Sequence, residues 1–176
     1  MLFRSNGACY DSYLSAPYFT EQLPSLNPDL VIISLGTNDA FDKSITAENF
    51  IQNIDAFIAG IKAQVPEATI MFTTIGDSYI AKRGKKHRTY YIDNPRIEIL
   101  NTALKKYSKE NGFAYWDLFN VMGGKNSMAK WYKNKLADNK RIHLSRDGYF
   151  ITGELFSNAL LNAFMKYKTT HGLISE

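Results

Sequence analysis

The sequence predicts an α/β fold, a three-layer α/β/α sandwich built on a parallel sheet. Three short apolar runs alternate along the chain with longer stretches whose apolar residues recur at spacings of three and four. Turn residues fall between these segments: Pro28-Asp29 before the first run, Gly36 after it, Gly76-Asp77 after the second, and Asn111-Gly112 before the third. Strands separated by helical crossovers pair in parallel through right-handed connections, which lays the helices on the faces of the sheet.

The first run, Leu30-Val31-Ile32-Ile33-Ser34-Leu35, is continuous rather than alternating and reads as a strand buried on both faces. Between it and the second run, Thr69 to Ile75, the residues Phe50, Ile54, Phe57, Ile58, Ile61 and Val65 share one helical face. They predict a helix from about Thr46 to just before Pro66. Asn94-Pro95 has the cap-then-proline order of a helix start, and Ile97, Leu100, Leu104 and Tyr107 carry that stripe to Asn111. The third strand, Phe113 to Leu118, follows. A last helix, from about Arg146 to Lys168, is expected to turn Tyr149, Leu155, Phe156, Leu160 and Phe164 inward.

With 176 residues, 45% of them apolar, the chain can bury one sizeable core, and no repeat or low-complexity linker divides it. Residues 1–176 are expected to form a single domain. A lone cysteine, Cys9, excludes an internal disulfide and leaves the compartment open. No run approaches the roughly 20 apolar residues that span a bilayer, and the first residues lack the apolar core of a signal peptide. The net charge of +4 gathers in Lys82-Arg83-Gly84-Lys85-Lys86-His87-Arg88. This run reads as a solvated loop. Alternatively, because it follows the second strand, it forms a rim that attracts an acidic polysaccharide, with Tyr79, Tyr90 and Tyr91 beside it for stacking on sugars. The footprint is small for a nucleic-acid-binding protein, so no nucleic acid partner is expected.

Reactive groups in parallel α/β sheets gather beyond the carboxyl ends of the strands. Gly36-Thr37-Asn38-Asp39 directly follows the first strand, and His143-Leu144-Ser145-Arg146-Asp147-Gly148-Tyr149 directly precedes the last helix. A side-chain amide at a strand end can donate to a developing oxyanion, an interaction whose loss costs about 3–4 kcal/mol in serine hydrolases. An imidazole at a helix entrance can serve as general base toward a hydroxyl. Each residue also has a purely structural alternative: Asn38 as an Asx-turn residue, and His143 as a solvated residue ahead of a helix. His87 lies in the basic run and His171 in the tail, and neither is read as catalytic.

The segment PDLVIISLGTNDAF resembles the third sequence block of the SGNH/GDSL hydrolases, RIHLSRDGY resembles the fifth, and FRSNGACY resembles the second. AYWDLFNVMGG is similar to esterase-type members of that superfamily. The resemblance implies a flavodoxin-like SGNH hydrolase fold. It implies that the backbone N–H of Gly7 and the side chain of Asn38 form an oxyanion hole, with His143 as the base. It further implies serine acyl transfer on small acyl esters, an acetyl ester of a glycan first among them, with no cofactor and no metal.

Two departures qualify this expectation. The family's first block, a strand ending in Gly-Asp-Ser, stands a few dozen residues before the glycine of the second block, yet only six residues precede Gly7. The first strand and the nucleophile are therefore expected to lie outside this chain. Gly76-Asp77-Ser78 follows a strand but comes after the GTND loop instead of before it, and reads as a turn. The second departure is Lys140, which occupies the position of the family's orienting aspartate, three residues before the histidine. Asp138 or a backbone carbonyl is left for that task. Two readings stay open: an esterase whose serine lies upstream, and a non-catalytic glycan-binding module that keeps the hydrolase fold. A missing first strand would leave one flank of Val31–Leu35 without a partner. That flank would then be capped by residues around Met1–Ala8, paired with a second subunit as a homo-oligomer, or left open.

Overall fold

The computed structural model describes residues 7–14 and 17–172. Their elements in chain order are α1 (Tyr10–Leu14), α2 (Pro17–Leu26), β1 (Leu30–Ile33), α3 (Ala47–Gln64), β2 (Thr69–Thr73), β3 (Tyr79–Arg83), β4 (Thr89–Asp93), α4 (Pro95–Glu110), β5 (Ala114–Trp116), α5 (Leu118–Val121), α6 (Ser127–Lys133) and α7 (Arg146–Thr170). β1 pairs in parallel with β2, and β2 with β5, in the order β1-β2-β5. β3 and β4 form a separate antiparallel hairpin. The mixed α/β architecture with a parallel sheet agrees with the fold class read from the sequence.

Local chemistry places the helix starts. The Thr46 hydroxyl accepts from the Asn49 N–H at 3.1 Å, the Asn94 side chain from Arg96 N–H at 3.2 Å, and the Ser145 hydroxyl from Gly148 N–H at 3.2 Å. Each cap satisfies an N–H that the helix itself leaves unpaired, worth about 1 kcal/mol.

The parallel register assigns the two faces of the sheet. Val31, Ile33, Ile70 and Phe72 share one face, and there they join Phe50, Ile54, Phe57 and Ile61 of α3 and Ile97, Leu100 and Leu104 of α4 in one core. Tyr10 of α1 is fully buried, edge-on to Phe50 at 5.5 Å and to Phe57 at 5.7 Å. Trp116, opposite Thr73, faces the other way and meets Phe156 of α7 at 5.1 Å. Helices therefore lie on both faces.

That second face is where the structure departs from the sequence reading. β1 is not buried on both sides: Leu30 and Ile32 are 38% and 43% exposed. Among the described residues β1 pairs with β2 alone, so its other flank carries no strand. α7 likewise fails to bury the stripe assigned to it. Phe156 is half-buried, but Tyr149, Leu155, Leu160 and Phe164 are exposed, together with Phe150, Leu161, Met165 and Tyr167. The ring contact of α7 with the sheet is to Trp116 of β5, and its remaining apolar residues stay open to solvent among the described residues. Of Met1–Ala8, the sequence's candidate cap for the β1 edge, residues 1–6 lie outside the described residues. No helix is long and apolar enough to cross a membrane among the described residues.

Candidate active site

β1 leads into a tight turn at Gly36, where φ is +107° and a Cβ would come within 2.8 Å of the Ile75 side chain. Only glycine fits both the backbone angle and the space. The turn closes through Ala40 N–H to Gly36 C=O and Phe41 N–H to Asn38 C=O, each at 2.9 Å. Asn38 stands at the start of the resulting 3-10 turn, but its side chain makes no capping bond there. Its Nδ2 instead donates to the Ala8 carbonyl at 2.9 Å, thirty residues away in sequence. The Asx-turn alternative does not describe this geometry: the amide reaches out of its loop toward the Gly7–Ala8 segment. Gly7 is exposed with φ +73°. The structure thus brings together the two residues that the resemblance paired.

Beneath this pair lies Asp39, which is 3% exposed. One of its oxygens accepts the Tyr10 N–H at 3.3 Å and the other has no partner. Burial raises its pKa, and the N–H bonds from Tyr10 and from its own backbone only partly offset that. Burial, then the Asp39 charge, pushes the Cys9 thiol up to about 11, so Cys9 is not a reactive thiolate at neutral pH.

His143 sits on a separate loop, clasped at its base by a bridge between Ala137 and Leu144, by Asp138 N–H to His143 C=O at 2.9 Å and by Ser145 N–H to Leu136 C=O at 2.9 Å. Its side chain is exposed. Asp138 uses its carboxylate to accept the Ile142 N–H at 3.1 Å, turning the loop back on itself. No side-chain hydrogen bond joins Asp138 to His143 among the described residues.

The His143 loop rests on the β3–β4 hairpin, where the sequence reading expected a loop, either solvated or forming a charged rim. Arg141 lies over the rings of Tyr91 and Tyr132, at 4.4 and 4.5 Å, while Tyr79 N–H donates to Arg141 C=O at 2.8 Å and Tyr91 Oη to Asn139 C=O at 2.9 Å. Under them a second core forms from Tyr79, Met122, Met128 and Ala137. The Asn38 loop is tied to the same assembly. Asn94 Nδ2 and Arg96 Nε both donate to Ala40 C=O, at 2.9 and 2.8 Å, and Asn94 N–H donates to Ser78 C=O at 3.2 Å, one residue before Tyr79. A chain of bonds therefore runs from the Asn38 turn through Asn94 and the hairpin to the His143 loop, all at the carboxyl end of the sheet. No hydrogen bond joins His143 directly to Asn38 or Gly7.

Ser78 is 1% exposed and its hydroxyl has no partner. Asp77 beside it accepts the Met128 N–H at 2.8 Å. This Gly-Asp-Ser is interior structure on the second strand's exit. The signal for the hairpin was present in the β-branched and aromatic residues on both sides of Gly84, but the density of charge between them concealed it. Among the described residues no group of three or more His, Cys, Asp or Glu is placed to hold a metal ion.

The sequence profile of the GDSL-like lipase/acylhydrolase family matches residues 5–151. The chain belongs to that family. Several solved structures share the fold of this acylhydrolase-family chain. A peptidoglycan O-acetylesterase superposes with a TM-score of 0.79 at 23% identity, over 92% of this chain and 45% of that one. An acylhydrolase from Bacteroides fragilis gives 0.65 at 21% identity over 89% of this chain and 72% of its own. An acetyl xylan esterase gives 0.60 at 20% identity over 88% and 77%. At these identities the likeness is one of fold, and the chain spans less than half the length of the O-acetylesterase. Curated protein sequences give no match.

Proposed function

We propose that this acylhydrolase-family chain carries the oxyanion hole and general base of an esterase for small acyl esters, acetyl esters of carbohydrates foremost. The observation that carries the reading is the Asn38 amide, turned away from its own loop and bonded beside Gly7 at 2.9 Å from the Ala8 carbonyl. Asn38 Nδ2 and the Gly7 N–H then hold the oxyanion. His143 takes the proton of an attacking serine and passes it to the departing sugar alcohol. Water, deprotonated by the same histidine, releases the acid. The flank of β1 that carries no strand among the described residues supports a nucleophile brought by a further strand, since a parallel strand laid there ends beside the Asn38 turn. The acetyl esterases among the structural neighbours support the substrate class. The tie between Asp138 and Ile142 N–H favours a second reading, in which the fold binds a glycan without turning it over.

Hydrolysis of p-nitrophenyl acetate separates the two readings. The 176-residue chain is expected to be nearly inactive, and a fusion carrying a Gly-Asp-Ser strand ahead of residue 1 active. In that fusion Asn38→Ala should lower kcat by about 10²–10³-fold. Turnover indifferent to both Asn38→Ala and His143→Ala refutes the assignment. Turnover by the unextended chain that vanishes in Ser78→Ala would identify the buried serine as the nucleophile.

A further inference from the structure

The β3–β4 hairpin holds a feature that the proposed reaction does not use. It carries five of the 21 Lys and Arg of the chain and one of the 17 Asp and Glu, so the remainder balances at sixteen of each. The whole net charge resides in this one arm. Lys82, Arg83, Lys85, Lys86 and Arg88 are all exposed, and among the described residues none takes part in an ion pair. The hairpin register sorts the rest. Tyr79 and Tyr91 face inward onto the second core, whereas Ile80, Lys82, Tyr90 and Ile92 share the opposite face, with Lys82 directly opposite Tyr90. Tyr90 is 51% exposed and Ile92 37% exposed. An apolar, aromatic strip with a cation in register beside the ring therefore points to solvent. The arm is not a loose excursion, because Arg141, held over Tyr91, fastens its inner face to the loop that carries His143.

We infer that this hairpin is the binding arm for an acidic polysaccharide, the polymer whose esters the site addresses. The inference rests on the esterase reading for the ester, but not for the binding. A uronic acid offers a pyranose face that stacks on Tyr90 and a carboxylate that pairs with Lys82, and its neighbours along the polymer reach the cations of the tip. Five-residue strands give a platform of about 17 Å, the length of three to four sugar units. One exposed ring on that platform suits a sugar chain better than nucleic acid, which uses several rings to stack successive bases. The anchoring to the His143 loop fixes the strip relative to the reacting centre, so the bound polymer is presented rather than merely attracted.

Affinity electrophoresis in gels containing polygalacturonate, neutral xylan or single-stranded poly-dT tests this on the chain as it stands, with no ester chemistry involved. Polygalacturonate should retard the protein at 50 mM salt and much less at 200 mM, and xylan should not. The variant K82Q/K85Q/K86Q/R88Q should bind polygalacturonate on the order of tenfold more weakly, and Tyr90→Ala several-fold more weakly, with circular dichroism melts unchanged because all five side chains are exposed. Lack of retardation by polygalacturonate, equal retardation by xylan, wild-type binding by the quadruple variant, or tighter binding of poly-dT each overturns the inference. Because the readout is binding, loss of the esterase reading in the Asn38 assay leaves this result standing, and the reverse holds equally.

Discussion

Replacing Gly148 with alanine sets two effects of opposite sign against each other. Gly148 is the third residue of α7, and on helix propensity alone alanine there would gain up to about 1 kcal/mol. A Cβ at Gly148, however, would run directly into the Leu136 carbonyl and lie 3.1 Å from the Leu144 Cβ. The obstacle is backbone, which cannot swing aside as a side-chain tip can. Moving it breaks the 2.9 Å bond from Ser145 N–H to Leu136 C=O that closes the base of the His143 loop. Overpacking of this kind costs about 1–3 kcal/mol and the lost bond about 1 kcal/mol more, so the clash wins. Gly148→Ala should lose about 1–3 kcal/mol net, a fall in Tm of roughly 3–10 °C. Gly153, in the same helix with nothing within 4 Å of an added Cβ, is the control, and Gly153→Ala should gain about 0.5–1 kcal/mol. Urea and thermal unfolding followed by circular dichroism measure both. A Gly148→Ala protein as stable as wild type, beside a stabilised Gly153→Ala, would refute the packing argument and release the His143 loop from its dependence on α7.

The other expectations are briefer. Asp39 has its pKa raised by burial, so folding takes up a proton: its contribution is full below the unfolded value near 3.8 and fades as pH climbs through the folded one. Asp39→Asn should therefore gain stability relative to wild type as pH rises from 4 to 7, and unfolding at a series of pH values that gives parallel curves argues against it. Asn101, 2% exposed, holds both the N–H and C=O of Ile75 at 2.8 Å, and Asn101→Leu should cost about 2–4 kcal/mol in denaturant titration. Ile32→Lys puts a charge on the exposed face of β1 and should reduce self-association seen by sedimentation velocity, whereas an unchanged distribution would remove that edge as a contact between copies.

Periodicity carried most of the fold. The stripes of α3 and α4 face one contiguous core, which the spacing of Phe50, Ile54, Phe57 and Ile61 states outright. What the same stripe could not state is what lies opposite: α7 has comparable apolar spacing, yet its partners are tertiary and its side chains stay in water. A continuous apolar run likewise says that β1 suits a buried strand, without saying how many of its sides are covered. Of the candidate site, the placement of Asn38 at a strand end was legible, and that of His143 on the loop ahead of α7 partly so. The staple of Arg141 between Tyr91 and Tyr132 joins positions up to fifty apart through ring stacking, for which no local spacing exists. Asp138 was a reasonable partner for His143 by proximity in sequence, and it was claimed instead by the nearer N–H of Ile142.

α7 spans 25 residues, but its buried residues, Gly148 and Thr152, and its ring contact with the sheet, Phe156, all fall in the first half. Residues 157–170 are held almost entirely by the helix's own hydrogen bonds, at a length where isolated helices are marginal in water. Amide protons there should exchange through a local opening far cheaper than global unfolding, as those of a separate cooperative unit do. Its helicity becomes a gauge of its surroundings: anything that settles on the apolar stripe of Leu160, Phe164 and Tyr167 slows exchange there first, before any change reaches the sheet.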